Sequence, residues 1–424
     1  MSKREKIIPL ASLALLLVLL VFLSGFAFRH YKIWPTRDLL LLRQQVEFYR
    51  RFGHWGRENQ FMKANVTSGA SRAVMKNAGE VMPGYRAIMG FDVELETYSV
   101  RLLDPAGQQV HVWPTSYRAL SGDTEATHEI NPHGMQMMPD GSIVVNFAKG
   151  GPLMARIDAC GEPLWTREGV YHHSIDIDDD GALWTWFSPD TVSSPLQSIL
   201  QMDAGTGEHL REISMEEVQA ASERNAVMLA LPDDYRLSPV REIRRGLEDD
   251  IFHPNDVEPL RREFAPAFPD FSPGDLLISL RELDLVAVLD PESVAFRWAA
   301  YGPWIRQHDP DFTETGRIEI YDNATGRGRS GILSVDPATG DIRRFHTPPD
   351  SAWYSPWQGK QQRLPSGAHL ITVPTQGRVV EISEDGEIVF EFNNIAGDGV
   401  NASVFNAVWL PEDYYETVPN CARE

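Results

Sequence analysis

The strongest constraint on this chain is a repeat. A strand-like run, an aspartate, a short and mostly Gly-bearing turn and a second strand-like run recur six times: RLLDPAGQQVHVW (101–113), ARIDACGEPLW (155–165), LQMDAGTGEHLREI (200–213), VAVLDPESVAFRW (286–298), LSVDPATGDIRRF (333–345) and VEISEDGEIVFEF (380–392). A second segment precedes most copies: HGMQMMPDG (133–141), HSIDIDDDG (173–181), HDPDFTETG (308–316) and GKQQRLPSG (359–367), each with seven residues between its first position and a turn glycine. A repeat of about 40–55 residues holding about four short strands is the signature of a propeller blade. The expected fold is therefore all-β, a six-bladed β-propeller over residues 85–424. Its first hairpin lacks a preceding inner strand, so VFNAVWLPEDYY (404–415) is expected to close the ring by joining that blade.

Composition agrees. With 424 residues, 42% of them hydrophobic, one propeller accounts for most of the chain. A net charge of −21 leaves no basic surface for phosphate backbones, which argues against nucleic acid as a partner. Residues 7–28 are almost wholly apolar, follow Lys3, Arg4 and Lys6, and are long enough to cross a hydrocarbon core of ~30 Å as a helix. No small-x-small cleavage site ends the run, so an uncleaved transmembrane anchor is expected in preference to a signal peptide. Residues 1–6 are then cytoplasmic, and the bulk of the chain is periplasmic or otherwise extracytoplasmic, held to the inner membrane. Residues 29–84 read as a helical stalk, TRDLLLLRQQVEFYRRF (36–52) behind an N-cap at Thr36, followed by a linker.

Two further features stand outside the repeat. Residues 214–250 interrupt the passage into the fourth blade, open on a Ser214/Glu217 capping-box pattern, and read as a helical insertion that serves either as a lid over the ring or as a surface loop. There are two cysteines, Cys160 in the second hairpin and Cys421 at the C-terminus. If the C-terminal strand closes the first blade, Cys421 emerges beside the second, within reach of a Cys160–Cys421 disulfide; two unpaired thiols are the alternative.

The chemistry is expected where inner strands converge on the channel. His133, His173, His253 and His308 occupy corresponding first positions, and imidazoles aimed at one cavity suit a shared ligand. Arg281 in LLISLRELDL adds a fixed charge, with a salt bridge to Glu282 or Asp284 as its plain structural role. His172, one residue out of step, is expected to point into the blade. Gly359 stands where its siblings carry histidine and is expected to open the cavity on that side. Trp353, Tyr354 and Trp357 precede it; Trp357 and Tyr354 are candidates, with His133, for contacting an aromatic substrate. Asp256 and Asp309 follow His253 and His308 and are expected to raise those imidazoles' pKa values.

The ordered set HHSIDIDDDGALW (172–184), HPNDV (253–257), LLISLRELDLVAVLD (276–290) and WIRQHD (304–309) resembles the arylsulfate sulfotransferase family across residues 130–392. The resemblance implies an exported six-bladed propeller that transfers a sulfuryl group from one phenolic ester to another phenol, with no nucleotide donor and no cofactor. It places the nucleophile on His308, the sulfuryl-binding histidines on His173 and His253, and the family's arginine on Arg281. A neutral imidazole can attack sulfur to give a sulfohistidine, and cationic or N–H-donating groups can hold the sulfuryl oxygens. Two other readings remain: a metal enzyme built on the four histidines with Asp256 and Asp309, and a membrane-anchored propeller that binds partners without catalysis.

Overall fold

The computed structural model describes residues 16–17, 19–25, 62–64, 72–122, 130–147, 151, 153–192, 194, 196–230, 251–345, 347–349, 352–397 and 399–421. The chain divides into two units, one of Gln60–Ala230 with Asp249–Glu424 and the other of Met1–Asn59 with Leu231–Glu248. In the latter only 16–17 and 19–25 are described, and they are helical. The rest of the expected anchor, the stalk helix and residues 231–250 of the insertion lie outside the described residues. Among the described residues no helix is long and apolar enough to cross a membrane.

The larger unit is a ring of six antiparallel blades, five of four strands and one of five. Blade two, for example, runs Pro132–Met137, Ile143–Phe147, Leu153–Ile157, Pro163–Glu168 from the axis outward. The other inner strands are Val170–Ile177, Pro254–Pro259, His308–Phe312, Lys360–Arg363 and, for blade one, Val404–Leu410. The second and third strands of a blade are covered on both faces by neighbouring blades. They read as continuous apolar runs, such as Leu276–Leu280 and Leu285–Leu289, in which every residue is buried. Outer strands such as His209–Ser214 are exposed at half of their residues.

The repeated aspartate acts through turn chemistry. Asp104, Asp158 and Asp336 each accept two backbone N–H groups of their own turn through Oδ1. Neighbouring blades are stitched from an outer strand to the next blade's turns: Trp113 Nε1 donates to Gly141 O at 3.0 Å, Trp165 Nε1 to Ala204 O at 2.9 Å, and Arg211 pairs with Glu292 at 2.7 Å.

Closure is as the sequence implies. Val404–Leu410 pairs antiparallel with Tyr85–Asp92, so the last strand forms the axis side of the first blade. Arg86 bonds Glu381 of blade six at 2.5 Å with both side chains fully buried, and Glu381 also takes the Met82 N–H. Cys160 and Cys421 form a disulfide with Cα atoms 4.9 Å apart. Just before it, Tyr415 enters the core shared by blades one and two, and Tyr414 Oη donates to Met137 O at 2.7 Å.

One segment departs from expectation and another bears it out over its described residues. Within the stretch read as linker, Met62–Ala64 pairs with Val400–Ala402, and Ala73–Met75 adds a fifth strand to blade six. The described part of the insertion is two short helices, Met215–Ala220 behind a complete Ser214/Glu217 capping box and Glu223–Met228. They pack on the edge of blade four, where Asn225 Nδ2 donates to Val294 O at 3.0 Å and Met215, Val218 and Leu229 join the core between blades three and four.

Candidate active site

At the channel end where the inner strands begin, five of the six carry a register shift: between Pro132 and Gly134, His172 and Ile175, Pro254 and Asp256, His308 and Pro310, and Val404 and Asn406. A bulge re-aims a side chain that a regular strand would bury in the sheet. Here the shifts flank the four histidines. His173 (φ 61), His253 (φ 42) and Asp309 (φ 48) hold left-handed backbone, uncommon for residues other than glycine and concentrated at functional sites.

The imidazoles of His133, His173 and His253 form one cluster, with ring centroids 4.0 Å apart for the first pair and 5.1 Å for the second. His308 and Arg281 face the same space: His308 acts electrostatically on His173 and His253, and Arg281 on His253 and His308. Arg281 lies in a 3₁₀ turn, Arg281–Leu283, just past the strand expected to hold it. Its Nε and Nη2 both donate to Glu282 Oε1, which also receives Arg306 Nη2 at 2.5 Å. The two guanidiniums share this one carboxylate, and the Arg306 backbone N–H donates to Asp284 Oδ1 at 2.7 Å.

Hydrogen bonds fix the tautomers. Asn323 Nδ2 donates to the carbonyls of Ser355 (2.8 Å) and Gln358 (2.6 Å), so its Oδ1, 2.7 Å from His308 Nδ1, must accept. His308 Nδ1 therefore carries the proton and Nε2 the lone pair. A second chain runs through blade three. Gln197 Nε2 donates to Ser194 O (2.7 Å) and Val192 O (3.3 Å), so Gln197 Oε1 accepts from His172 Nε2 at 2.8 Å. His172 Nδ1 then accepts from His173 Nδ1 at 2.7 Å, which leaves the lone pair of His173 on Nε2. His172 is fully buried in the blade, as its register implies, and it orients the neighbouring ring.

Burial decides the charge states. It pushes His308 down to about 3 and His172 to about 4, and holds His173 and His253 well below their ordinary value; Arg281 adds to the effect on His253 and His308. The expectation that Asp256 and Asp309 raise these imidazoles' pKa values is thus reversed. Their carboxylates turn instead to Lys360, whose Nζ lies 3.0 Å from Asp256 Oδ1 and also bonds Asp309 Oδ1.

The opening expected at Gly359 does not exist. A Cβ built there would lie 2.5 Å from the ring of Tyr321, which is fully buried and fills the space. Trp353 is buried and donates through Nε1 to Tyr321 Oη at 2.9 Å. Tyr354 commits its hydroxyl to the Gly326 N–H at 3.0 Å, a loop-holding contact, while Trp357 is largely exposed on the loop whose Gln358 carbonyl holds Asn323. Below the imidazoles a cavity of about 400 Å³ continues down the channel, lined by Asp176, Asp256, Glu258, Asp309, Asp311 and Lys360 among others. A second cleft of about 650 Å³ lies near Phe268 and Trp298 at the junction of blades four and five; neither lining includes a histidine, and the 400 Å³ cavity is the one that adjoins the imidazoles, through Asp309 and Ser174. Among the described residues no group of three or more His, Cys, Asp or Glu side chains is disposed to hold a metal ion.

The sequence reading missed Asn323, Gln197 and Lys360. Asn323 lies just past the second strand of its blade, and Asn146 lies within that of blade two, where its Oδ1 accepts the Gly134 N–H at 2.7 Å; the two are offset by two positions in the repeat, so the repeat alone does not point to them.

Fold and site together define a propeller whose channel mouth presents neutral, oriented imidazoles beside an arginine cluster, a setting for an anionic ester. The family model described as Arylsulfotransferase (ASST) matches residues 134–395, more than half of the chain, and the chain belongs to that family, whose chemistry is aryl sulfotransfer. No curated protein matches the chain. Similar solved structures include a Bacteroides caccae protein of unknown function (12% identity, 76% of this chain and 99% of that one, TM-score 0.46). A nidogen/laminin complex (10%, 78% and 100%, 0.45) and virginiamycin B lyase from Staphylococcus aureus (12%, 68% and 86%, 0.39) are similar at the same remote level.

Proposed function

We propose that the protein moves a sulfuryl group from a phenolic sulfate ester to another phenol through a sulfohistidine on His308. The observation that carries this is the His308 tautomer: Asn323 holds the proton on Nδ1, so a neutral Nε2 lone pair is present at any ordinary pH. Nε2 attacks sulfur as the sulfur–oxygen bond to the aryl group breaks, and the phenolate departs and takes a proton from water. The imidazolium so formed is stabilised through Nδ1–H by Asn323 Oδ1 and by Arg306 O at 3.2 Å. In the second half, the acceptor phenol oxygen attacks sulfur, the nitrogen–sulfur bond breaks, and the phenol's proton passes to His173 Nε2 and on to solvent. Arg281 offsets charge on the sulfuryl oxygens, with His253 beside it. Such a protein works outside the cytoplasm, tethered by residues 7–28; the Cys160–Cys421 disulfide supports an oxidising compartment.

The test is mass spectrometry after exposure to aryl sulfates. Wild-type protein gains one sulfuryl group, and His308→Asn loses adduct and turnover together while keeping its fold. Arg281→Lys forms the adduct slower by on the order of 10²–10³-fold, since an ammonium does not reproduce the guanidinium fork. A wild-type protein that labels with no donor favours the binding-platform reading.

A further inference from the structure

A pocket for sulfate esters is an unlikely neighbour for carboxylates, yet two of them floor this one. Asp309 directly follows His308 and Asp256 lies three residues past His253, both nearly fully buried. Lys360 comes from the sixth blade, at the first residue of the inner strand Lys360–Arg363, and reaches across the channel to both. The second oxygen of Asp309 accepts the Gln361 N–H at 2.5 Å, so the carboxylate is held at both oxygens by consecutive residues, through the Lys360 ammonium and the Gln361 backbone. We propose that Lys360 is the residue that lets this pocket accept anions: its ammonium offsets the two carboxylates beneath the imidazole cluster and so sets the specificity of the site for a sulfate ester. The proposal rests on the sulfuryl-transfer reading above.

The surroundings leave Lys360 this task. Among the described residues that face it are Asp176 on blade three, Asp256 and Glu258 on blade four, and His308, Asp309 and Asp311 on blade five. Arg261 and Arg363 are the other cations lining the cavity; Arg261 pairs loosely with Asp176 (3.8 Å) and Asp179 (3.9 Å), and Arg363 with Glu314 (3.0 Å) and Glu319 (3.5 Å). The inner strand of blade one, Val404–Leu410, contributes no titratable group, and that of blade two contributes His133 alone. Burial lowers the pKa of Lys360, but Asp256 and Asp309 more than reverse this and keep it above its ordinary value, so it stays charged through the working range. Burial raises Asp309, and raises Asp256 to about 7, with Lys360 opposing in both cases.

Removing the ammonium therefore gives a pH-dependent defect. Without Lys360 both carboxylates titrate higher still: they are neutral at low pH, where an anion is tolerated, and ionise as pH rises, when each anion bound requires a proton to be taken up. The probe is 4-methylbenzenesulfonate, an aryl sulfonate that cannot transfer its sulfur, with Kd measured by calorimetry between pH 6 and pH 9.5. Lys360→Met is expected to match wild type near pH 6, then to weaken by up to about tenfold per pH unit once the unpaired carboxylates ionise. Lys360→Arg stays near wild type, and Lys360→Met combined with Asp256→Asn and Asp309→Asn loses the pH slope. A Lys360→Met protein that follows wild type throughout overturns the proposal, as does one equally weak at every pH, which marks a purely structural salt bridge. If the triple variant keeps the slope, the carboxylates named are the wrong ones and the proposal fails. Wild-type protein that neither binds the sulfonate nor labels with an aryl sulfate fails the sulfuryl-transfer reading itself, whatever Lys360 does.

Discussion

At the scale of single residues, the site is governed by where protons sit, and amides that carry no charge decide it. Asn323 and Gln197 each spend their N–H groups on backbone carbonyls, which forces the remaining oxygen to accept and so fixes His308 and His172. Asn323→Leu should leave the pocket's charge unchanged but release the tautomer. We expect kcat to fall on the order of 10²–10⁴-fold with a smaller change in KM, measured by steady-state kinetics with a chromogenic aryl sulfate. Burial of neutral imidazole also has a stability signature. His308 titrates at about 3 in the fold against about 6.5 in an unfolded chain, so the unfolded state binds more protons between those values. Its contribution is complete above pH 6.5 and is lost as pH falls; at pH 5 this is about 2 kcal/mol. His308→Asn should therefore lose less melting temperature than wild type between pH 7 and pH 5. Asp256 runs the other way, its contribution declining as pH rises toward about 7.

At the scale of elements, the ring depends on a strand from one end of the chain completing a sheet from the other. Deleting residues 404–424 exposes both the Tyr85–Asp92 edge and the channel, and no cooperative thermal transition is expected. The Arg86–Glu381 pair joins blades one and six at the same closure: Glu381→Ala should cost about 3–5 kcal/mol in denaturant unfolding by stranding a buried guanidinium, whereas replacing both residues with apolar side chains should cost much less. The elements were legible in the sequence because their signals are local: Asp104, Asp158 and Asp336 bond within their own turns, and His133, His173 and His308 share a fixed spacing from a turn glycine. What was not legible depends on partners from other blades. Gly359 read as empty space because its missing side chain is visible in sequence and the Tyr321 ring that fills the gap is not. Asp256 and Asp309 read as neighbours of histidines because sequence shows adjacency; their true partner, Lys360, is 104 and 51 residues away.

At the scale of the whole molecule, the C-terminal tail acts as a clasp. Beyond the closing strand it carries Tyr415 into the core of blades one and two, bonds Met137 through Tyr414, sets Pro419 against Gly141 and ends at the Cys160 disulfide. Cys421→Ser should lower unfolding stability by about 2–5 kcal/mol, read as a shift in denaturant midpoint that added reductant reproduces in wild type but not in the variant. The closing strand has a further meaning for how the protein is made. Residues 404–410 follow every other strand of the ring in chain order, and until they are in place the channel has a wall of five strands and a gap. A chain interrupted before residue 404 carries every histidine of the pocket in a ring that is still open on one side. A pocket left open in this way is exposed to water, so the fold ties enclosure of its histidines to the arrival of the last strand of the ring.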